Sequence, residues 1–507
     1  MRNGFRGGRI EVWLMVSGFV GVTGASGWTS GEPRLEGGNT PMAVPAKPGV
    51  AVAIPADLDA LVQEVASEVP AAAPIRLINR LRLRPDREVA LFEFGNGLEL
   101  IVLEDHSAPV LSYQTWFAVG SRFETRGKTG IAHLFEHLMF KGTPTHPHEV
   151  FDRLLEEAGA QTNAATWLDW TFYYENLPSD GLDLAARLES DRMVNLLLNQ
   201  QQLDSEREVV KNERRFRVEN DPDGKMDEVL MRLIYGSHPY GSPTLGTFED
   251  LDSLTLEDCL SFYRTYYSPS NATIVVVGDV QAREVLRTVA RYYGAIPRIE
   301  VPRVRIPDPE EQTAPRTEVL ALPVATEKAR LGWRTVPAGH ADDAALDVAN
   351  HILFENESSR VYRVLVEEKG LASDVDGAVE GFALDGIAIA DLVLVAHQPA
   401  EPAVEVLLGE VERLARDGPT PVELERARNH MEAAFLRSLQ TVGSKATQLG
   451  MYHRTVGDYR KMFEFIGRIR AVRSEDVQRV VSRYWTRDRL NLVIARPGGP
   501  SGASNEP

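Results

Sequence analysis

From Val89 onward apolar and polar residues come in short strand-like runs: VALFEFGNGLELIVLEDHSAPVLSYQTWFAV sets β-rich stretches on either side of Asn96-Gly97. Asn-Gly is the strongest short hairpin signal, because a tight two-residue turn needs positive φ angles that these residues accept. The apolar period then lengthens to about 3.6 residues, which predicts helices over IAHLFEHLMFKGT, beginning at Ile131, and over HEVFDRLLEEAGA. QTNAATWLDWTFYYENLP returns to strand patterning, and the stretch from Gly181 to about Val218 reads as one long helical pattern. NATIVVVGDV is a continuous apolar run, predicted to be a buried strand, and a first unit closes near Pro297.

After a Pro- and charge-rich connector, PRIEVPRVRIPDPEEQTAPR, the same order of patterns returns. TEVLALP and KARLGWRTVPAG match the first strands, DDAALDVANHILF takes the place of the helix at Ile131, and RLNLVIARP echoes NATIVVVGDV. The chain is therefore expected to be an α+β protein of two homologous domains, each a mainly antiparallel sheet packed with helices. The domains are placed at residues 89–297 and 319–497, with a linker over 298–318 and a flexible tail over 498–507. The second copy has no His-x-x-Glu-His, so only the first is expected to bind metal.

Residues 1–27 carry three arginines, an apolar run from about Val12 to Val22 and then small residues, the layout of a bacterial secretory signal. Cleavage is expected in preference to retention as an anchor, since Glu11 and the interspersed glycines make a poor spanning helix. The mature chain is thus expected in the periplasm or secreted, tethered only if the segment stays. Residues 28–88 read as a Pro/Ala/Gly-rich extended arm with one helical pattern, ADLDALVQEVASEV. No later stretch is apolar for long enough to span a bilayer.

A length of 507 residues with 43% apolar and 25% charged side chains permits two or three domains with sizeable cores. The formal charge of -18 disfavours nucleic acid as a partner. Cys259 is the single cysteine, which excludes an internal disulfide and a Cys-based metal site; a buried, inert thiol is expected. Any metal must then be held by His and carboxylate.

The stretch from Ile131 offers such a set. On a helix His133 and His137 share one face at i and i+4, with Glu136 beside them. Two neutral imidazoles at that spacing fix half of a tetrahedral zinc site, and an adjacent carboxylate can take a proton from water and return it to a leaving amine. The bland alternative is a pair of satisfied histidines packed on a sheet. A third ligand is needed, and the helical stretch LDSEREVVKNERRFRVEN offers Glu206 and Glu213, seven residues apart on one face, or else these form a solvated charged surface.

His-x-x-Glu-His reverses the commoner His-Glu-x-x-His. With GAQTNAATWLDWTFYYENLP, LESDRM, GSHPYGSPTLG and FYRTYYSPSNATIVVVGD in that order, residues 89–497 resemble the pitrilysin and insulinase family of zinc peptidases, in its short branch related to mitochondrial processing peptidase. The resemblance implies one zinc per chain held by His133, His137 and Glu213, with Glu136 as general base and Glu206 orienting a histidine. It implies also that the strand with Thr162, Asn163 and Ala164 is an exposed edge to which peptide adds as a further strand.

Active relatives supply an Arg and a Tyr, seven residues apart, from the second half. Here those positions fall on Val366 and Ser373, which cannot polarise a carbonyl in the same way. Arg360 and Tyr362 lie nearby at the wrong spacing. The resemblance therefore implies the zinc-bearing subunit of a heterodimer whose homologous partner carries the Arg-Tyr pair, with two such chains enclosing a clam-shell chamber; a homodimer is the alternative. A noncatalytic scaffold of the same fold is the rival from another class.

Overall fold

The structure is a computed structural model and describes residues 58–84 and 87–498. The expected signal segment, arm residues 28–57 and the tail from 499 lie outside the described residues.

Strands β1 (Arg76–Arg84), β2 (Arg87–Glu93), β3 (Glu99–Glu104), β4 (Val110–Phe117), β5 (Gln161–Thr166), β6 (Thr171–Pro178) and β7 (Ala272–Gly278) form one sheet. Its order is β1-β2-β3-β7-β4-β6-β5. Strands β8 (Arg316–Leu322), β9 (Lys328–Arg334), β10 (Ala372–Gly381), β11 (Gly386–Leu394) and β12 (Asn491–Pro497) form a second, ordered β10-β11-β9-β12-β8. Reading the first sheet from β3 and the second from β8 gives one pattern. In each, the last strand in sequence sits between the first two strands of the repeat, parallel to the first and antiparallel to the second. The duplication expected from the sequence is thus a duplication of topology.

The helices follow the same rule. The first half carries α1 (Leu58–Glu68), α2 (Ile131–Leu138), α3 (His148–Glu157), α4 (Leu182–Asn195), α5 (Gln200–Arg214), α6 (Pro222–Tyr235), α7 (Phe248–Ser253), α8 (Leu256–Tyr266) and α9 (Ala282–Tyr293). The second carries α10 (Asp343–Leu353), α11 (Arg360–Tyr362), α12 (Ala400–Asp417), α13 (Pro421–Ser438), α14 (Val442–Met451), α15 (Lys461–Ala471) and α16 (Ser474–Tyr484). By chain order α2 and α5 correspond to α10 and α13.

Each sheet buries one face under its own helices. Phe92, Leu100 and Val276 pack with Phe135 and Leu286, and Leu331, Leu392 and Ile494 with Leu346, Leu407 and Val480. The other faces are covered by exchange. Met226, Leu230 and Ile234 of α6 pack on Ile389, Val493 and Ala495 of the second sheet. Val442, Ala446 and Leu449 of α14 pack on Trp116, Val275 and Val277 of the first. All seven residues of β7 are buried, which is why NATIVVVGDV shows no alternation.

The hairpin forms at Asn96-Gly97, but as a three-residue loop over 95–97 in which Gly97 and not Asn96 takes a positive φ, +88°; the Phe94 N–H donates to the Leu98 carbonyl across it. Two further expectations are corrected. The arm does not run to residue 88, because α1 packs Leu58, Leu61 and Val65 into the same core as Val285 and Val289 of α9, and β1 pairs antiparallel with β2. That partner helix lies more than two hundred residues away, beyond the reach of any local pattern. The single long helix from 181 to 218 is two helices, because Asn199 caps α5 in a reciprocal pair with Gln202 and forces a break.

Candidate metal centre

Helix α2 is apolar on nearly all sides: Ile131, Ala132, Leu134, Phe135 and Leu138 are buried, so it lies within the first domain rather than on it. Its start is fixed by Glu124, whose two carboxylate oxygens each accept one backbone N–H, from Gly130 and Ala132, at 2.9 Å. Those donors belong to the first turn and have no partner within the helix. The opposite face of α2 packs against α5 and turns His133 and His137 toward it, with ring centroids 4.9 Å apart.

Glu213, near the end of α5, completes the group. Its Oε2 lies 3.6 Å from His133 Nε2 and 3.3 Å from His137 Nε2. A tetrahedral site with bonds of about 2.0–2.1 Å has ligand-to-ligand edges of about 3.3–3.4 Å, so the three atoms already stand close to the distances a zinc ion needs. Glu206 stands behind them, 3.6 Å from His137 Nδ1, the nitrogen turned away from Glu213. The donor set, one carboxylate and two imidazoles facing a common point, fits zinc.

The charges fit as well. Burial, aided by the neighbouring His137, drives His133 down to about 3, so it is a neutral imidazole with a lone pair to offer. Burial opposes a charge on His137 too, but Glu206 and Glu213 outweigh it and lift the group to about 9, which makes proton release part of metal uptake. Burial would raise Glu213, yet His137, His133 and Arg217 hold it down at about 2. Glu136 is pushed up to about 7 by burial, against the pull of His137 and a hydrogen bond to Thr166. Its Oε2 is buried with no hydrogen-bond partner.

The structure therefore brings His133, Glu136, His137, Glu206 and Glu213 together. Asn163 and Ala164 lie on β5, the last strand of the seven-stranded sheet, which pairs on one side only, with β6. Asn163 Oδ1 accepts from the Ala164 N–H at 2.8 Å, and β5 ends at Thr166 beside Glu136. Val366 packs against the core of the second half, and the Ser373 hydroxyl donates to the Val393 carbonyl at 3.2 Å. Arg360 is bound to Glu423 through both ends of its guanidinium, at 2.7 and 2.8 Å, a structural role. Cys259 is buried, its thiol raised to about 12 by burial.

Three supporting residues escape a reading of the sequence. Lys141 donates to Glu206 Oε1 at 2.6 Å and Arg217 to Glu213 Oε1 at 2.9 Å. Both stand four residues beyond a site residue, His137 and Glu213, so helical spacing is the signal that would find them. Thr166 has no such signal. In the second half, where no His-x-x-Glu-His occurs, His351, Glu355 and His430 bring one donor atom each within 4.8 Å of the others. His351 lies on α10, Glu355 just beyond its end and His430 on α13, and together they follow no motif.

Comparison with known proteins gives one direction. Residues 100–248 match the family described as Insulinase (Peptidase family M16), and residues 253–431 match Peptidase M16 inactive domain. The chain is 28% identical over 414 residues to the zinc protease PqqE of Helicobacter pylori, spanning 79% of this chain and 91% of that protein. It is 27% identical over 406 residues to the uncharacterized zinc protease YmxG of Bacillus subtilis, spanning 80% and 97%. A solved protease from Helicobacter pylori shares the fold with TM-score 0.77 at 27% identity, covering 81% of this chain and all of that one. A peptidase M16 inactive domain from Pseudomonas fluorescens shares it with TM-score 0.74 at 19% identity, covering 81% and 98%.

Proposed function

Because the chain belongs to the insulinase family of peptidases, family M16, we propose that it is a zinc-dependent endopeptidase subunit acting on short or unfolded peptides. The observation that carries this reading is the convergence of His133 Nε2, His137 Nε2 and Glu213 Oε2 beside an unpartnered oxygen of Glu136. The names of the relatives, zinc proteases, support it. Zinc held there supplies Lewis acidity, polarising a peptide carbonyl and lowering the pKa of a water to about 7.

The chain's own residues do the rest. Glu136 accepts the proton that the attacking water loses and delivers it to the nitrogen of the leaving amine, a role suited to a carboxyl poised near neutrality. Thr166 holds Glu136 through one hydrogen bond and so fixes its direction. Lys141 anchors Glu206 and Arg217 anchors Glu213, which keeps the carboxylates facing the imidazoles. Peptide enters extended along β5 near Asn163 and Ala164, whose outer edge has no strand partner in the sheet.

A homologous partner chain is part of the reading. Val366 and Ser373 are both engaged within the second half, and neither can hold or polarise a carbonyl as Arg and Tyr do. A partner carrying that pair completes a clam-shell chamber, and the N-terminal signal pattern points to assembly in the periplasm or outside the cell. No helix among the described residues is long and apolar enough to cross a membrane.

The test is a peptidase assay with zinc determination on the purified chain, alone and mixed with a homologous chain that carries the Arg-Tyr pair. Cleavage only in the mixture is expected, with Glu136→Gln keeping zinc but losing about 10²–10⁴ in rate. Full activity from the chain alone would remove the partner. Zinc bound without cleavage in either sample would favour the noncatalytic scaffold.

A further inference from the structure

The second half carries a cluster that the peptidase reading does not use. His351 lies on α10, Glu355 two residues beyond that helix, and His430 on α13. By chain order these helices are the counterparts of α2 and α5, which carry His133, His137 and Glu213. The duplicated fold thus holds two imidazoles and one carboxylate between the same pair of helices in both halves. In the second copy the carboxylate follows the first helix and a histidine comes from the other, so the motif that marks the first site does not appear.

The local chemistry is that of a built site rather than a chance ion pair. His351 is buried, and its Nδ1 and Glu355 Oε2 are 2.6 Å apart, which fixes the ring. Its other nitrogen, Nε2, is buried and has no hydrogen-bond partner. The ring of His430 lies 4.8 Å away, centroid to centroid, and its Nδ1 is likewise buried without a partner. A neutral imidazole has one donor and one acceptor, and on each of these neighbouring rings one nitrogen is left without a partner. A cavity of about 270 Å³ borders the group, with Asn350, Glu355, Gly377 and Met431 in its wall.

We propose that His351, Glu355 and His430 form a second site for a divalent transition metal, zinc by the donor chemistry. Two imidazole nitrogens and one carboxylate oxygen suit zinc better than magnesium or calcium, which take oxygen. One donor atom of each residue lies within 4.8 Å of the others, and an ion shared by all three takes the place of the present contact between His351 Nδ1 and Glu355 Oε2. Three protein ligands beside a cavity leave a fourth position for water or a small donor. The proposal stands apart from the peptidase reading, because it needs neither Glu136 nor a partner chain.

The experiment counts zinc. The full-length chain is stripped with chelator, reloaded with excess zinc, desalted and measured for metal per chain. Two zinc ions are expected in the wild type, one after His133→Ala with His137→Ala, and one after His430→Ala. A wild type with one zinc that falls to none in the His133/His137 double variant would overturn the proposal, as would two zinc ions persisting in His430→Ala. Should His430→Ala not fold, cobalt loaded into the His133/His137 double variant reports only the second site. Visible d–d absorption with nitrogen-ligand character is expected there, and a spectrum of aqueous cobalt alone would overturn the assignment.

Discussion

Glu206 and Lys141 show how a side chain outside the ligand set can govern it. Glu206 lies behind His137 on the Nδ1 side, and the Lys141 ammonium pins its other oxygen at 2.6 Å. An imidazole whose far nitrogen faces a carboxylate is held in one tautomer and is a better donor through the near one. Glu206→Ala is therefore expected to weaken zinc binding by about 10–100-fold, read by competition against a chelator of known affinity. Unchanged zinc affinity would mean that Glu206 serves only to balance Lys141. Much of this site is legible in the sequence, because i, i+4 spacing on one helix turns His133 and His137 to the same side, and the seven-residue interval does the same for Glu206 and Glu213. Thr166 is not, since what makes it matter is the register of β5 beside α2.

At the scale of elements, α2 owes its position to Glu124. The loop before it is polar and offers no Ser, Thr, Asp or Asn cap at Gly130, so the carboxyl group six residues upstream takes the N–H groups of Gly130 and Ala132. Glu124→Gln keeps the size but offers one acceptor oxygen where two are used. One buried N–H is then left facing an amide NH₂, and a loss of about 1–3 kcal/mol is expected, measured as a shift in the urea midpoint at constant slope. The same local view explains what the sequence concealed. LLLNQQQLDSER gives apolar and helix-forming residues across the break at Asn199, so the apolar period runs through it and only the Asn-x-x-Gln spacing of the capping box marks the new start.

The whole molecule is held by an exchange: α6 leaves the first half to cover the second sheet, and α14 leaves the second to cover the first. Two glycines permit the close approaches. A Cβ at Gly450 of α14 would run into the Trp116 indole, and one at Gly332 of β9 would meet the terminal methyls of Ile234 and Leu230 of α6 at 2.8 and 2.9 Å. Trp116 is fully buried and stacked on Phe172 at 4.1 Å, so it cannot retreat, whereas a leucine can turn. Gly450→Ala is therefore expected to cost more than Gly332→Ala, on the order of 1–3 kcal/mol for overpacking at Gly450, compared by thermal unfolding. Equal losses would mean that Trp116 shifts as readily as Leu230.

The seam also has a titrating contact. Glu99 of β3 meets His453 at 2.9 Å and Arg454 at 3.7 Å, both in the turn after α14. Burial alone would raise its carboxyl, but these partners and Thr273 carry it from the ordinary 4.5 down to about 2. A carboxyl whose folded value is depressed contributes stability that is whole above about pH 4.5 and is lost as pH falls toward 2. The advantage of wild type over Glu99→Gln should thus shrink across that window; a gap independent of pH would show that the contact is not electrostatic. Because each sheet borrows a cover from the other half, neither half has a complete core of its own. Residues 58–297 and 298–498 expressed separately should each expose one apolar sheet face and aggregate, while co-expression should yield one stoichiometric complex. Two soluble, folded fragments with no affinity for each other would refute the exchange as the source of cohesion, since only halves that cover both faces of their own sheets can stand alone.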